Sequence, residues 1–225
     1  MTIAGVDGTR GGWLAAILDG DRIDLTFEET LASLVDDRRL DLILVDVPIG
    51  LPDRGPRGAD LEARRLLRDR HSSVFPAPLR PMLAARTWNE ASEIRFEIEA
   101  KRCSKQTFAI MHKIVEVDSL ITQTLQQRVI EAHPEVSFTL ANGRVPMKER
   151  KASSGGRRQR IELLETVFPG VEARIQSQPR GRWLDCIDAV ACLWTATRVR
   201  DGRAERLPPG AIETDGRGLR MEILA

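Results

Sequence analysis

Six carboxylates fall where a carboxylate is expensive to place. Asp7 interrupts an apolar opening segment and is bracketed by glycines in Gly5-Val6-Asp7-Gly8-Thr9-Arg10-Gly11-Gly12-Trp13. Asp46 lies near the C-terminal end of a near-continuous apolar run, 42–50. Glu131 and Glu135 flank His133, and Asp185 and Asp188 stand one helical turn apart in an apolar stretch near the C-terminus. A buried carboxylate needs a partner, and several carboxylates brought together repel one another. A divalent cation answers both demands, and hard oxygen donors suit Mg²⁺ or Mn²⁺. Two such ions about 4 Å apart activate water and stabilise a leaving oxygen in phosphodiester cleavage. The glycines around Asp7 would let a phosphate approach the backbone. The candidate catalytic acids are therefore Asp7, Asp46, Glu131, Glu135 and Asp188. The candidate metal ligands are Asp7, Asp46, Glu135, Asp188 and Asp185. Spacing alone does not choose between Glu131 and Glu135.

Plainer roles exist for most of them. Asp7 could be a turn acid and Asp46 an ordinary strand-end residue. Asp185 could favour a helix N-terminus through the dipole, whereas Asp188 lies a turn deeper among apolar residues. His133 reads as a hydrogen-bonded strand histidine before it reads as a ligand.

The elements that must position these acids follow from periodicity. Residues 2–8, 12–18 and 22–27 read as strands, the last two joined by the hairpin signal Asp19-Gly20-Asp21. A helix fits 28–39, and 42–50 reads as a strand buried on both faces. Residues 51–126 are mainly helical, with helices over 59–70, from Thr87 to about Lys101, and from Ser104 onward; the prolines at 76, 78 and 81 exclude regular helix between the first two. A strand over 129–135 would put Glu131 and His133 on one face, with Glu135 joining them only if it continues past Pro134. Residues 144–160 are polar with a flexible Ser-Ser-Gly-Gly centre; a helix then runs to about Phe168, and the last helix spans about 182–199. The chain divides into one domain, 1–200, with a helical insertion at about 51–126, and a tail, 201–225.

Composition limits the partners. Net charge is +1, so no global field marks a nucleic-acid binder. Locally, 144–160 carries seven basic residues against one acid, and Lys148 and Lys151 within it could follow a phosphate backbone or belong to a solvated loop. Phe75 and Trp88 could stack on bases; Trp183 and Trp194 are expected in the core. Three cysteines with no C-x-x-C pair argue against disulfides or zinc and for a cytoplasmic setting. No signal core is present and no apolar run approaches the roughly 18 residues of a membrane span, so no membrane partner is expected.

Six pieces, GVDGTRGGW (5–13), VDVPIGLP (45–52), SSVFPAP (72–78), SKQTFAIMHKIVEVD (104–118), EAHPEVSF (131–138) and DCIDAVACLW (185–194), occur in order over most of the chain. Together they resemble the domain-of-unknown-function family 429, described as predicted nucleases with an RNase H fold. The Asp185/Asp188 pair also looks like the helix acids of bacterial Holliday-junction resolvases. One departure is His112-Lys113, where Pro-Lys would be expected. The resemblance implies an α/β, RNase H-like fold. It has a mixed five-stranded sheet with helices on both faces, three strands antiparallel and the later ones parallel, and a helical insertion between the fourth and fifth strands. It carries metal-binding roles to Asp7, Asp46, Asp188 and one of Glu131 or Glu135, and leaves Asp185 open. It also points to the Ser72–Pro78 loop, with Ser73, and to Lys105 as neighbours of the site; Arg10 of the opening motif is a further substrate-binding candidate. The expected activity is a Mg²⁺- or Mn²⁺-dependent nuclease acting on DNA or RNA, possible as a homodimer. Two other classes compete. Asp7-Gly8-Thr9 resembles the first phosphate loop of actin-like and sugar-kinase-like ATP-binding proteins, but no convincing second loop follows. A non-catalytic RNase H-fold binding module is the other.

Overall fold

The opening segments form a meander. Strands β1 (Thr2–Thr9), β2 (Gly12–Asp19) and β3 (Arg22–Glu28) pair antiparallel in sequence. The computed structural model describes residues 1–225 and is a mixed α/β fold with nine α-helices. After β3 comes a helix α1 (Leu31–Asp36), shorter than 28–39. The Thr30 hydroxyl caps it by accepting from the Ser33 N–H, and the chain turns extended at Asp37. Strand β4 (Leu40–Val45) lies parallel to β1, with Val45 beside Val6. Four helices then intervene: α2 (Gly58–Leu67), α3 (Trp88–Glu99), α4 (Lys105–Ala109) and α5 (Met111–Leu120). Strand β5 (Val129–Glu131) returns parallel to β4, so the sheet order is β3-β2-β1-β4-β5.

The rest of the chain is α6 (Pro134–Ala141), α7 (Ser154–Val167), α8 (Val171–Ser177) and α9 (Trp183–Arg200), then a small ribbon of β6 (Arg206–Leu207) and β7 (Ile223–Leu224). Strand alternation sends two side-chain sets to two cores. Ile3, Leu14, Ala16 and Leu44 meet α6 to α9. Ala4, Val6, Trp13 and Val45 meet α1 and α5 on the other face. Helix α9 is buried along most of its length and lies directly on β1. A Cβ on Gly5 would stand 2.0 Å from the Leu193 nitrogen and 2.2 Å from the Ala189 oxygen, so only glycine lets the helix approach this closely.

Three local readings change. The strand at 129–135 stops at Glu131 because Pro134 cannot donate to a ladder and instead opens α6 at its first turn. Glu135 is therefore on a helix. The helix from Ser104 breaks at Ile110 into α4 and α5. Ser153 caps α7, its hydroxyl accepting from the Gly156 N–H at 2.9 Å, so Ser-Ser-Gly-Gly starts a helix and is not a loose centre. The tail, open in sequence to a short strand, a loop or a frayed end, supplies the short strand β7 and folds back: Leu224 bridges Ala132, and Ile223 and Ala225 are buried. No helix is long and apolar enough to cross a membrane.

Candidate active site

Adjacent parallel strands end together, and that brings the first two acids side by side. Asp46 follows Val45 directly, and its N–H donates to the Val6 carbonyl at 2.9 Å. Asp7 is the next residue of β1 after Val6 and projects to the face covered by α9. That helix supplies Asp188, 2% exposed, and Asp185. All four line one cleft of about 400 Å³. It opens at the carboxyl ends of β1 and β4, which is where open α/β sheets bind ligands.

Positive charge is scarce there. Burial holds the Asp7 carboxyl well above its usual range, and the charges of Asp188 and Asp46 push it further. Burial lifts Asp46 to about 6; His133 pulls it down and Asp188 pushes it up. Burial also raises Asp185, against the hydrogen bond donated by the Thr9 hydroxyl. The cation touching this group is Lys151, whose ammonium donates to Asp188 Oδ2 at 2.5 Å while its side chain stays 47% exposed. Asp188 holds the Lys151 ammonium above its ordinary range. The other Asp188 oxygen, Oδ1, is buried without a partner. Lys113 reaches the cleft from the α5 side, but its ammonium donates to the Gly12 carbonyl at 2.7 Å and lies 4.2 Å from the centre of the Trp13 ring.

Glu131 and Glu135 are differently placed. Both border the cleft, yet each is taken by an arginine. Arg57 donates to both Glu131 oxygens at 2.7 Å, and the Ile49 N–H donates to Oε2 at 2.7 Å. The same guanidinium reaches Asp60 Oδ1 at 2.5 Å, and Asp60 Oδ2 accepts from the Ala77 N–H at 2.9 Å. Burial raises Glu131 to about 7 against Arg57, which lowers it. Every partner of this carboxyl is a donor, so the packing accommodates the ionised form. Arg160, fully buried, donates to Glu135 at 2.7 and 2.9 Å. Glu131 and Glu135, expected as alternatives for a catalytic acid or metal ligand, thus both line the cleft, each as half of a buried ion pair.

The substrate-binding expectations divide the same way. Ser73 and Lys151 line the cleft; Arg10, Lys105 and Lys148 do not and are exposed. The basic stretch is largely engaged within the protein. Besides Arg160 and Lys151, Arg144 pairs with Glu205 at 2.7 Å, Arg158 with Glu162 at 3.0 Å, and Arg157 donates to the Ala152 carbonyl at 2.6 Å. Trp88 is held by its indole N–H, which donates to the Cys103 carbonyl at 2.9 Å, whereas Phe75 stands in the cleft wall, 40% exposed. Trp194 is core, but Trp183 is only half-buried and donates to the Gln178 carbonyl. Sequence reasoning missed Arg57, Asp60, Arg160, Arg70 and Lys113. Of these Lys113 and Arg160 carried a signal, the first in its place inside the stretch 104–118 and the second in its place in the basic stretch 144–160.

As the side chains stand, no three His, Cys, Asp or Glu residues form a group arranged to hold a metal ion. The donor chemistry nonetheless fits a hard divalent cation. Asp188 Oδ1 is buried and unpartnered, Asp7 and Asp46 are held up partly by Asp188, and the positive charge in contact is one tethered ammonium. Asp7, Asp46 and Asp188 are the residues that would hold it, with Asp185 beside them.

Among known families, the chain matches the model described as Protein of unknown function (DUF429) over residues 5–213, and it belongs to that family. No curated protein and no solved structure matches it.

Proposed function

We propose that this chain is a Mg²⁺- or Mn²⁺-dependent phosphodiesterase that hydrolyses nucleic acid, built on an RNase H-like fold. The three antiparallel strands, the two parallel additions and the helical insertion between β4 and β5 agree with that fold. One observation supports the activity above all others. Three separate elements bring Asp7, Asp46 and Asp188 to one cleft with too little positive charge to balance them. A structural cluster would be neutralised, as Glu131 and Glu135 are.

Bound divalent cations would supply Lewis-acid stabilisation of the reacting phosphate and a readily deprotonated water. The chain does the rest. Asp7, Asp46 and Asp188 hold the charge in place, and Thr9 fixes the Asp185 carboxylate beside them. Lys151, once displaced from Asp188, has the length and exposure to meet a phosphate oxygen. Val74 and Ala77, buried in the facing wall, exclude water from that side. Three free, buried cysteines fit a reducing compartment, and we place the protein in the cytoplasm.

The test is incubation of purified protein with labelled DNA, RNA, hairpins and branched junctions in Mg²⁺ or Mn²⁺. Cleavage that requires the ion and falls at least about 100-fold in Asp7→Asn and Asp188→Asn is expected, the scale on which loss of one preorganised electrostatic group is felt. Failure of every substrate to be cut faster than by Asp7→Asn overturns the proposal.

A further inference from the structure

The cleft has a second wall that the acids do not use. It is the segment from Arg70 to Pro78, which faces them across about 400 Å³. That volume is near the lower end of the roughly 300–1,000 Å³ typical of small-molecule sites. The wall is firmly tied. The Ala77 N–H donates to Asp60 Oδ2 at 2.9 Å, and the Val74 carbonyl accepts from Arg64 Nη1 at 2.7 Å. Pro76 and Pro78 further restrict its backbone. Val74 and Ala77 turn inward and are buried, but Phe75 remains 40% exposed while lining the cavity.

Besides Asp188 Oδ1, two polar atoms of cleft-lining residues have no partner. Arg70 Nε and His133 Nδ1 are both buried and make no hydrogen bond, and both residues line the cleft. Buried polar groups are nearly always satisfied, so two unsatisfied ones on residues that line the cleft leave hydrogen-bonding capacity there for an incoming partner. The combination is a flat aromatic face, unfilled hydrogen-bonding groups, and a set of acids suited to a phosphate-bound cation. An aromatic face stacks on a base whatever the base is. In a continuous duplex each base face is already covered by its neighbours, and only an unpaired base can be splayed out to reach such a surface.

Resting on the phosphodiesterase reading above, we infer that the cleft admits one unpaired nucleotide, stacked on Phe75 with its phosphate toward the acids, so that the substrate is single-stranded or frayed nucleic acid and not continuous duplex. Arg70 and His133 meet the polar atoms of that nucleotide.

The test measures binding, not turnover. Oligonucleotides carrying a fluorescent base analogue, single-stranded or annealed into a blunt duplex, are titrated with protein in Ca²⁺, which favours oxygen-rich sites. The single strand is expected to bind at least about tenfold more tightly than the duplex, with quenching of the analogue as it stacks. Phe75→Ala should weaken single-strand binding about 5- to 100-fold, the range for one base–aromatic stack, and abolish the quench. Phe75→Trp should retain both. Because Phe75 is exposed, neither change should alter folding, which a thermal melt checks. Arg70→Met should also weaken the single strand. Duplex bound as tightly as single strand, or single-strand binding untouched by Phe75→Ala, overturns this inference while leaving the phosphodiesterase reading intact. No binding and no cleavage of any nucleic acid overturns both.

Discussion

Two groups of acids border the same cleft under opposite electrostatic regimes. On the β5 and α6 side, Glu131 and Glu135 each own a buried guanidinium, and Asp60 shares one. On the β1, β4 and α9 side, Asp7, Asp46, Asp185 and Asp188 have one lysine in contact among them. The first arrangement holds the scaffold. Arg57 ties α2, β5 and the chain after β4 into one unit, and Arg160 fastens α7 to α6. The second arrangement is an unbalanced charge that a bound cation or protonation would relieve. A buried acid is thus informative through its partner and not through its burial.

The largest expected effect comes from breaking the scaffold side. Arg57→Ala strands Glu131 and Asp60 without their cation, and removal of one partner of a buried pair costs about 3–5 kcal/mol. At about 2–4 °C per kcal/mol for a chain of this size, thermal unfolding should fall by on the order of 10 °C. Arg160→Ala should behave alike. Asp46→Asn, measured without metal, should leave the midpoint unchanged or raise it, because it relieves repulsion. If Arg57→Ala is mild, or Asp46→Asn equally damaging, the division between the two groups fails.

Metal sharpens the same contrast. Mg²⁺ or Mn²⁺ at about 100 times its dissociation constant should stabilise the wild-type protein by about 2.7 kcal/mol. Asp7→Asn and Asp188→Asn should lose that shift, while Glu135→Gln, however destabilised, should keep it. An unchanged shift in Asp188→Asn would count against the assigned ligands.

Lys151→Met should tighten cation binding by on the order of tenfold. Removal of a unit positive charge a few ångströms away is worth at least about 1.4 kcal/mol at protein-surface dielectric. Isothermal titration with Mn²⁺ measures it, and weaker binding in the variant would mean that Lys151 supports the site instead of competing for it.

A further effect is that of pH on the metal-free protein. Asp46 is raised to about 6 in the folded state, against about 3.9 for an unperturbed aspartate. A native state that binds the proton more readily gains stability as protons are added. Stability should therefore rise as pH falls from about 7 toward 4, and Asp46→Asn should flatten that slope. A fall in stability over this window would show that the cluster is better neutralised than its geometry indicates.

How far the sequence discloses this depends on where each partner lies. An acid inside an apolar strand or helix is conspicuous locally, so Asp7, Asp46 and Asp188 stand out, as do the strands that carry the first two. Glu131 looks no different, yet its arginine is 74 residues away, and that of Glu135 is 25 away. Nothing near either glutamate announces that it is neutralised. The basic stretch misleads for the same reason. Arg160 and Arg150 read alike in sequence, and only folding buries one against Glu135 and leaves the other exposed. Tertiary choices of this kind leave no local mark, whereas the apolar runs that become β1, β2 and β4 do.

The seating of α9 on Gly5 acts as a caliper. Main chain rests on main chain there, so the gap between the Asp7 and Asp188 backbones is set by atoms that nearly every amino acid has in common. Exchange of neighbouring apolar side chains leaves that gap almost untouched, which lets the interior drift while the acids stay gauged. One methyl group at position 5 would lift the helix as a rigid rod and spread the two sides of the cleft. Such a variant, where it still folds, should keep its shape in outline and lose its grip on a cation.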